Sequence, residues 1–155
     1  MTKASISTEF GPIQLEFEGP LLISVSQNKM LNPSDEVEEA ILNPVIECIE
    51  GIYDGVDIAV KLQGSPFQIK VWKAIRQIPS GQVISYSELA KNLGNVRATR
   101  AVASACSKNP CAIVIPCHRV VKRNFRLGGY FWGTEAKKKL LTREGVTINA
   151  KDFVV

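Results

Sequence analysis

Hydrophobic and polar positions alternate along the first third of the chain and then change period. Ser5-Ile6-Ser7-Thr8-Glu9-Phe10, Ile13-Gln14-Leu15-Glu16-Phe17 and Leu21-Leu22-Ile23-Ser24-Val25 are separated by Gly11-Pro12 and Gly19-Pro20, the pattern of a small antiparallel meander. Asn32-Pro33-Ser34 predicts a helix start with Ser34 as N-cap, an apolar stripe of Val37, Ala40 and Ile41, and a kink or stop at Pro44. Val56 to Leu62 alternates again and predicts a fourth strand. From Gly64-Ser65-Pro66 onward the period becomes helical: Phe67, Val71, Trp72 and Ile75 share a face, and Pro79-Ser80-Gly81 closes the element. Ser85-Tyr86-Ser87-Glu88 reads as a capping box opening a short helix. Gly94-Asn95 then makes a turn into a further helix from about Val96 to Ser107.

Helix, glycine turn, helix is the spacing of a helix-turn-helix, and the second helix divides by face. Thr99, Val102, Ala103 and Cys106 fall on a core-facing stripe, with Cys106 as a small buried hydrophobe. Arg97, Arg100, Ala101, Ser104 and Lys108 form the opposite one. Beyond it, Ile113-Val114-Ile115-Pro116-Cys117-His118-Arg119-Val120-Val121 sets a cysteine beside the sole histidine among β-branched residues. This predicts a strand that Pro116 ends, with the thiol at a strand-to-turn corner.

Charge sharpens the division. Residues 1–63 carry three Lys/Arg against eleven Asp/Glu, whereas residues 64–155 carry sixteen against four. A basic half of this kind suits a polyanion such as nucleic acid. The expected organisation is therefore a strand-rich domain over 1–63 and a mostly helical domain over 64–155, an α+β fold. No apolar run reaches the length of a membrane span and the N-terminus has no apolar core of a signal peptide, so the expectation is an intracellular, cytoplasmic protein. Cys48, Cys106, Cys111 and Cys117 contain no C-x-x-C pair, and one histidine cannot complete the usual zinc sets, so no metal is expected.

A cysteine nucleophile needs a base, and here only His118 can serve. Neighbours in a strand point to opposite faces, so the proton would pass through a turn or a bridging water. Glu144, among the four acidic residues of the basic half (with Glu88, Glu135 and Asp152), is the candidate to orient the imidazole. A relay that steadied an imidazolium would lower the Cys117 pKa.

Ile115-Pro116-Cys117-His118-Arg119-Val120-Val121 resembles the active-site signature of the O6-alkylguanine-DNA alkyltransferases, the methylated-DNA-protein-cysteine methyltransferases. The resemblance extends through Phe67-Gln68, Val71-Trp72, Ile78-Pro79-Ser80-Gly81, Tyr86, Arg100-Ala101-Val102, Asn109-Pro110, Gly128-Gly129-Tyr130 and Leu140-Leu141 with Glu144-Gly145, covering residues 64–145. It implies irreversible, stoichiometric transfer of alkyl groups from O6-alkylguanine, and from O4-alkylthymine, to Cys117. His118 would take the proton through water, Glu144 would complete the relay, Asn109 would brace the turn and Tyr86 would donate a proton toward the leaving base. Arg100 would replace a flipped nucleotide from a recognition helix in the minor groove, with Arg97, Ala101 and Ser104 on the same DNA-facing surface. Tyr130, Val120, Phe131 and Pro116 would line the base pocket. The implied partner is alkylated double-stranded DNA, with no cofactor, no metal, no membrane and no obligate protein partner, the chain acting as a monomer near the nucleoid. The implied N-terminal domain is ribonuclease-H-like.

Phe131-Trp132 after Tyr130 departs from relatives with smaller residues and bears on the alkyl size accepted. Other classes stay distinguishable. A non-catalytic lesion sensor would lack the nucleophile, and a hydrolase would turn over and is disfavoured by the adjacency of Cys117 and His118. A plain helix-turn-helix regulator would account for the charge alone.

Overall fold

The computed structural model describes residues 1–155. The chain divides into two compact units, Met1–Gln63 with Pro110–Val114, and Gly64–Asn109 with Ile115–Val155. The sequence division at Gly64 places Pro110–Val114 in the later domain. They join the first unit instead because the Val25 amide donates to Pro110 O at 2.9 Å and Cys111 Sγ donates to Ile23 O at 3.2 Å.

In the first unit, β1 (Thr2–Thr8), β2 (Gly11–Glu18) and β3 (Leu21–Gln27) form an antiparallel sheet in the order β1-β2-β3. The period-two pattern sets one face inward: Ala4, Ile13, Leu15, Phe17, Leu22 and Val25 are buried. A single helix, α1 (Glu39–Glu50), buries Val45, Cys48 and Ile49. Two expectations, the helix start at Ser34 and the strand over Val56–Leu62, fail here because a longer-range bond outcompetes the local one. Ser34 and Asp35 do not start a helix: Ser34 Oγ accepts from the Ser5 amide and Asp35 Oδ2 from the Lys3 amide, both at 2.8 Å, pinning the segment to β1. Pro44 does not end α1, which runs on to Glu50; the carbonyl that its missing N–H leaves free belongs to Ala40, on the exposed side. Val56–Leu62 is not a strand. It meets the sheet through one parallel bridge, Leu22 to Val60, with the Lys61 amide donating to Leu22 O at 2.8 Å.

The second unit holds α2 (Pro66–Ile75), β4 (Ile84–Ser85), α3 (Tyr86–Asn92), α4 (Thr99–Ser107), β5 (Val120–Val121) and α5 (Thr134–Arg143). Local chemistry places most of these ends. Ser65 caps α2 with a full capping box through Gln68, and Pro66 sits where its missing N–H costs nothing. The Ser85 hydroxyl accepts from the Glu88 amide to start α3. Trp72 is buried and its Nε1 donates to Ala105 O at 2.9 Å, tying α2 to α4. β4 and β5 pair in parallel. The helix expected over Val96–Ser107 is divided: Val96–Ala98 is a 3-10 turn with Asn95 Oδ1 accepting from the Arg97 amide, and α4 follows from Thr99.

The strand expected through Ile113–Ile115 is absent. The Val114 amide donates to Ala112 O at 2.9 Å, and Ile113 at its centre holds a φ of 72°. That is a three-residue turn in a region β-branched residues avoid, at a cost of about 1–3 kcal/mol. Burial of every residue from Cys111 to Val121 offsets that strain. No helix is long and apolar enough to cross a membrane.

Candidate active site

Cys117 is delivered by a second tight turn. Pro116, with φ −80° and ψ 60°, centres an inverse γ-turn in which the Cys117 amide donates to Ile115 O at 2.8 Å, and Cys117–Arg119 continues as a 3-10 turn. Asn109, buried at the end of α4, braces this corner: its Nδ2 donates to Ile115 O at 2.7 Å and reaches Cys117 Sγ at 3.1 Å. The thiol lines a cavity of about 530 Å³ with Tyr86, Ala103, Cys106, Ser107, Lys122, Gly129, Tyr130 and Phe131. Cys106 is buried as expected but faces this cavity rather than a closed core.

The 3-10 turn sends His118 the other way. Its ring is fully buried, with Nε2 3.1 and 3.2 Å from the two carboxylate oxygens of Glu144. Arg119 clamps the same carboxylate, Nη2 at 2.5 Å and Nε at 3.1 Å, and its Nη1 donates to Ile78 O at 2.7 Å. Burial pushes the Glu144 pKa up, yet hydrogen bonds and charge from His118 and Arg119 outweigh it and bring the group down to about 2. An ionised carboxylate only accepts, so His118 Nε2 carries the hydrogen and the Nδ1 lone pair is free. Nδ1 is buried with no hydrogen-bond partner, so Cys117 and His118 share no direct bond through it. Burial holds the His118 pKa below its ordinary value, with Glu144 opposing, and the imidazole is a neutral base at pH 7.

The lowered thiol pKa expected for Cys117 is not found. Burial pushes it up to about 11, against the Asn109 hydrogen bond and the charge of Lys137. The resting group is the thiol, and the proton must leave as the reaction proceeds. Tyr86 and Tyr130 are likewise held above the usual phenol range, mainly by burial, and act as neutral hydroxyls. The Tyr130 hydroxyl is buried without a partner, and its ring stands edge-on to those of His118 and Phe131 at 6.4 and 5.0 Å.

The sequence candidates therefore separate into groups. Cys117, Asn109, Tyr86, Tyr130 and Phe131 meet around the cavity, and His118 with Glu144 lies behind the thiol's own turn. Val120 and Pro116 are buried backbone supports outside the cavity lining. Arg97, Arg100, Ala101 and Ser104 are exposed along α4 and its entry turn. Two residues escaped the sequence reading. Arg119 sits inside the signature, but its role depends on where Glu144 folds to. Lys137 is fully buried, with Nζ donating to the carbonyls of Val120, Leu127 and Gly129. Its only sequence signal is the spacing Lys137, Leu140, Leu141, Glu144 on one face of α5.

A cavity-bound thiol backed by a histidine–carboxylate pair, in a unit that carries a helix-turn-helix, defines a class with known members. The model of the 6-O-methylguanine DNA methyltransferase DNA binding domain matches residues 66–146. The bifunctional transcriptional activator/DNA repair enzyme Ada of Escherichia coli is 42% identical over 112 residues, 72% of this chain and 32% of that protein, so the match spans about a third of its length. A probable methylated-DNA–protein-cysteine methyltransferase of Acanthamoeba polyphaga mimivirus is 41% identical over 70% of this chain and 77% of its own. The crystal structure of Mycobacterium tuberculosis OGT in complex with DNA superposes with a TM-score of 0.82 at 32% identity, covering 92% of this chain and 91% of that one. The chain belongs to the methylated-DNA–protein-cysteine methyltransferase family.

Proposed function

We propose that this chain repairs DNA by moving the alkyl group of O6-alkylguanine, and of O4-alkylthymine, onto its own Cys117. The observation that carries the reading is the placement of the Cys117 thiol in a cavity walled by Tyr86 and Tyr130, with a neutral imidazole anchored behind it by Glu144. The Cys117 proton passes by way of a bridging water to His118 Nδ1, whose cation Glu144 stabilises. Sulfur forms a bond to the alkyl carbon as the carbon–O6 bond breaks, and Tyr86 supplies a proton to the leaving base. The product thioether has no hydrolytic exit, so each chain acts once and needs no cofactor.

An O6 adduct lies inside the duplex, and turning it out costs a few kcal/mol. Arg100, exposed on α4, fills the vacated stack from the minor groove, while Arg97, Ala101 and Ser104 lie against the phosphates and allow close backbone approach. The partner is thus alkylated double-stranded DNA, bound by a monomer in the cytoplasm.

Intact mass after mixing with an O6-methylguanine duplex tests the reading. One methyl group per chain, mapped to Cys117, supports it. Repeated turnover, or label on Cys48, Cys106 or Cys111, overturns it. Cys117→Ser removes transfer and keeps salt-sensitive DNA binding. Arg100→Ala slows repair in duplex more than reaction with the free alkylated base, and equal losses on both would contradict a flipping role.

A further inference from the structure

Lys137 is the buried charge that the transfer scheme above does not use. It lies in the middle of α5, entirely shielded from solvent, and no carboxylate stands within ion-pair distance. Its three donors are all used: Val120 O at 2.7 Å, Leu127 O at 2.6 Å and Gly129 O at 3.2 Å, while the Tyr86 ring lies 5.9 Å from Nζ. A methionine would fill the same space without desolvating an ammonium, so the site favours the amine for its hydrogen bonds, its charge or both.

The hydrogen bonds reach both sides of the thiol. Gly129 lines the alkyl cavity, and Val120 pairs with Ile84 three residues after Cys117. The charge bears on the thiol as well. Asn109, Cys106, Tyr86 and Tyr130 face Cys117, and none of these is a cation. On the His118 side, the charges of Arg119 and Glu144 offset each other. Lys122 also lines the cavity but is exposed to solvent, so Lys137 is the buried positive charge, without a counter-ion, that acts on the sulfur, and burial holds its own pKa down to about 8.

We propose that Lys137 is a positioning residue for alkyl transfer, holding the Gly129 wall and the Val120 strand with its hydrogen bonds while its unpaired charge stabilises the Cys117 thiolate. The proposal rests on the alkyl-transfer reading for its purpose, but its electrostatic half is measurable without DNA. A small haloacetamide reports thiolate directly: sulfur bonds to the methylene carbon, iodide leaves and the thiol proton goes to solvent.

The test measures the rate of iodoacetamide labelling, mass-mapped to Cys117, against pH in the full chain and in Lys137→Arg, Lys137→Gln and Lys137→Met. Transfer from an O6-benzylguanine duplex and the melting temperature are measured alongside. Lys137→Gln and Lys137→Met should shift the profile upward by about one pH unit, making labelling about tenfold slower at pH 8, whereas Lys137→Arg should match the unmodified rate below about pH 8 and go on climbing above it, because a guanidinium keeps its charge there. Unshifted profiles in both neutral variants would overturn the electrostatic role. So would shifts in all three variants that track only their loss of melting temperature.

If the neutral variants do not fold, the unmodified protein decides. A thiolate beside an ammonium has the same proton count as a thiol beside an amine. Its population therefore levels off once the first proton has left, and the slope of log rate against pH should break near 8. A climb without a break toward pH 11 would overturn the proposal. A chain that takes no label from alkylated DNA would overturn the transfer reading and leave the labelling profile to decide Lys137.

Discussion

Lys137 and Glu144 stand two turns apart on the same face of α5, and the fold treats them in opposite ways. Glu144 closes the helix where its macrodipole disfavours an anion, yet two hydrogen-bonded partners keep it ionised down to about pH 2. Lys137 has carbonyls and a phenol ring but no counter-ion, and its pKa falls to about 8. Pairing makes a buried charge permanent across the physiological range. Leaving it unpaired brings its titration close to neutrality, where a neighbouring thiol can sense it.

Removing the pairing should have the largest effect. Arg119→Met leaves the buried carboxylate with His118 alone and frees Ile78 O, for an expected loss of about 3–5 kcal/mol in urea unfolding at pH 7. A loss below about 1 kcal/mol would mean that Glu144 needs no second partner.

Next comes acid stability. The folded Glu144 pKa lies below its unfolded value of 4.5, so its contribution is present above pH 4.5 and is lost as pH falls toward 2. A shift of this size corresponds to about 3 kcal/mol. Glu144→Gln should flatten that part of the pH–stability curve and slow transfer at neutral pH. A curve of unchanged steepness between pH 5 and 2 would assign the acid transition elsewhere.

The alkaline side separates the two charges further. Lys137 has a folded pKa below its unfolded value, so stability rises as pH climbs from about 8 past 10, while Cys117, raised to about 11, loses stability over roughly pH 9 to 11. The two slopes oppose each other and the native curve should be nearly flat there. Lys137→Met should expose the thiol's decline, about 2–3 kcal/mol by denaturant titration at each pH. A flat curve in that variant would remove Cys117 from the balance.

The smallest effect concerns the cavity that the Cys117 thiol lines. At about 530 Å³ it has room for a methyl group on Cys117, so methylation should move the midpoint by no more than about 2–4 °C. A benzyl group meets Tyr130 and Phe131 and should lower it further. Melting curves of the unmodified, methylated and benzylated chain compare the three, and identical midpoints for both adducts would show that the wall bears no load.

How much of this was legible beforehand differs by the range of the interaction. Ser65 with Pro66 and Ser85 with Glu88 open their helices where the sequence places them, through caps completed within four residues. The signature around Cys117 was readable through its resemblance to a known family, and Glu144 as a partner for His118 because four carboxylates in the basic half leave few candidates. The segments at Ser34, Val56–Leu62 and Ile113–Ile115 were misread for a common reason. Their local pattern is ambiguous, and a bond to Ser5, Leu22 or Val25, or burial against strain, decides them.

By itself, then, the sequence determined the meander of the first unit, the starts of α2 and α3, the basic half and the setting of the sole histidine beside a cysteine. Those depend on neighbours within a turn or two of helix. Tertiary structure alone decided that Arg119 shares Glu144, that His118 keeps a free Nδ1, that Cys106 faces the cavity and that Lys137 has no counter-ion. Each depends on which groups from distant segments arrive within about 3–4 Å, because the net value of a buried charge or hydrogen bond is set by its partners and not by the residue that carries it.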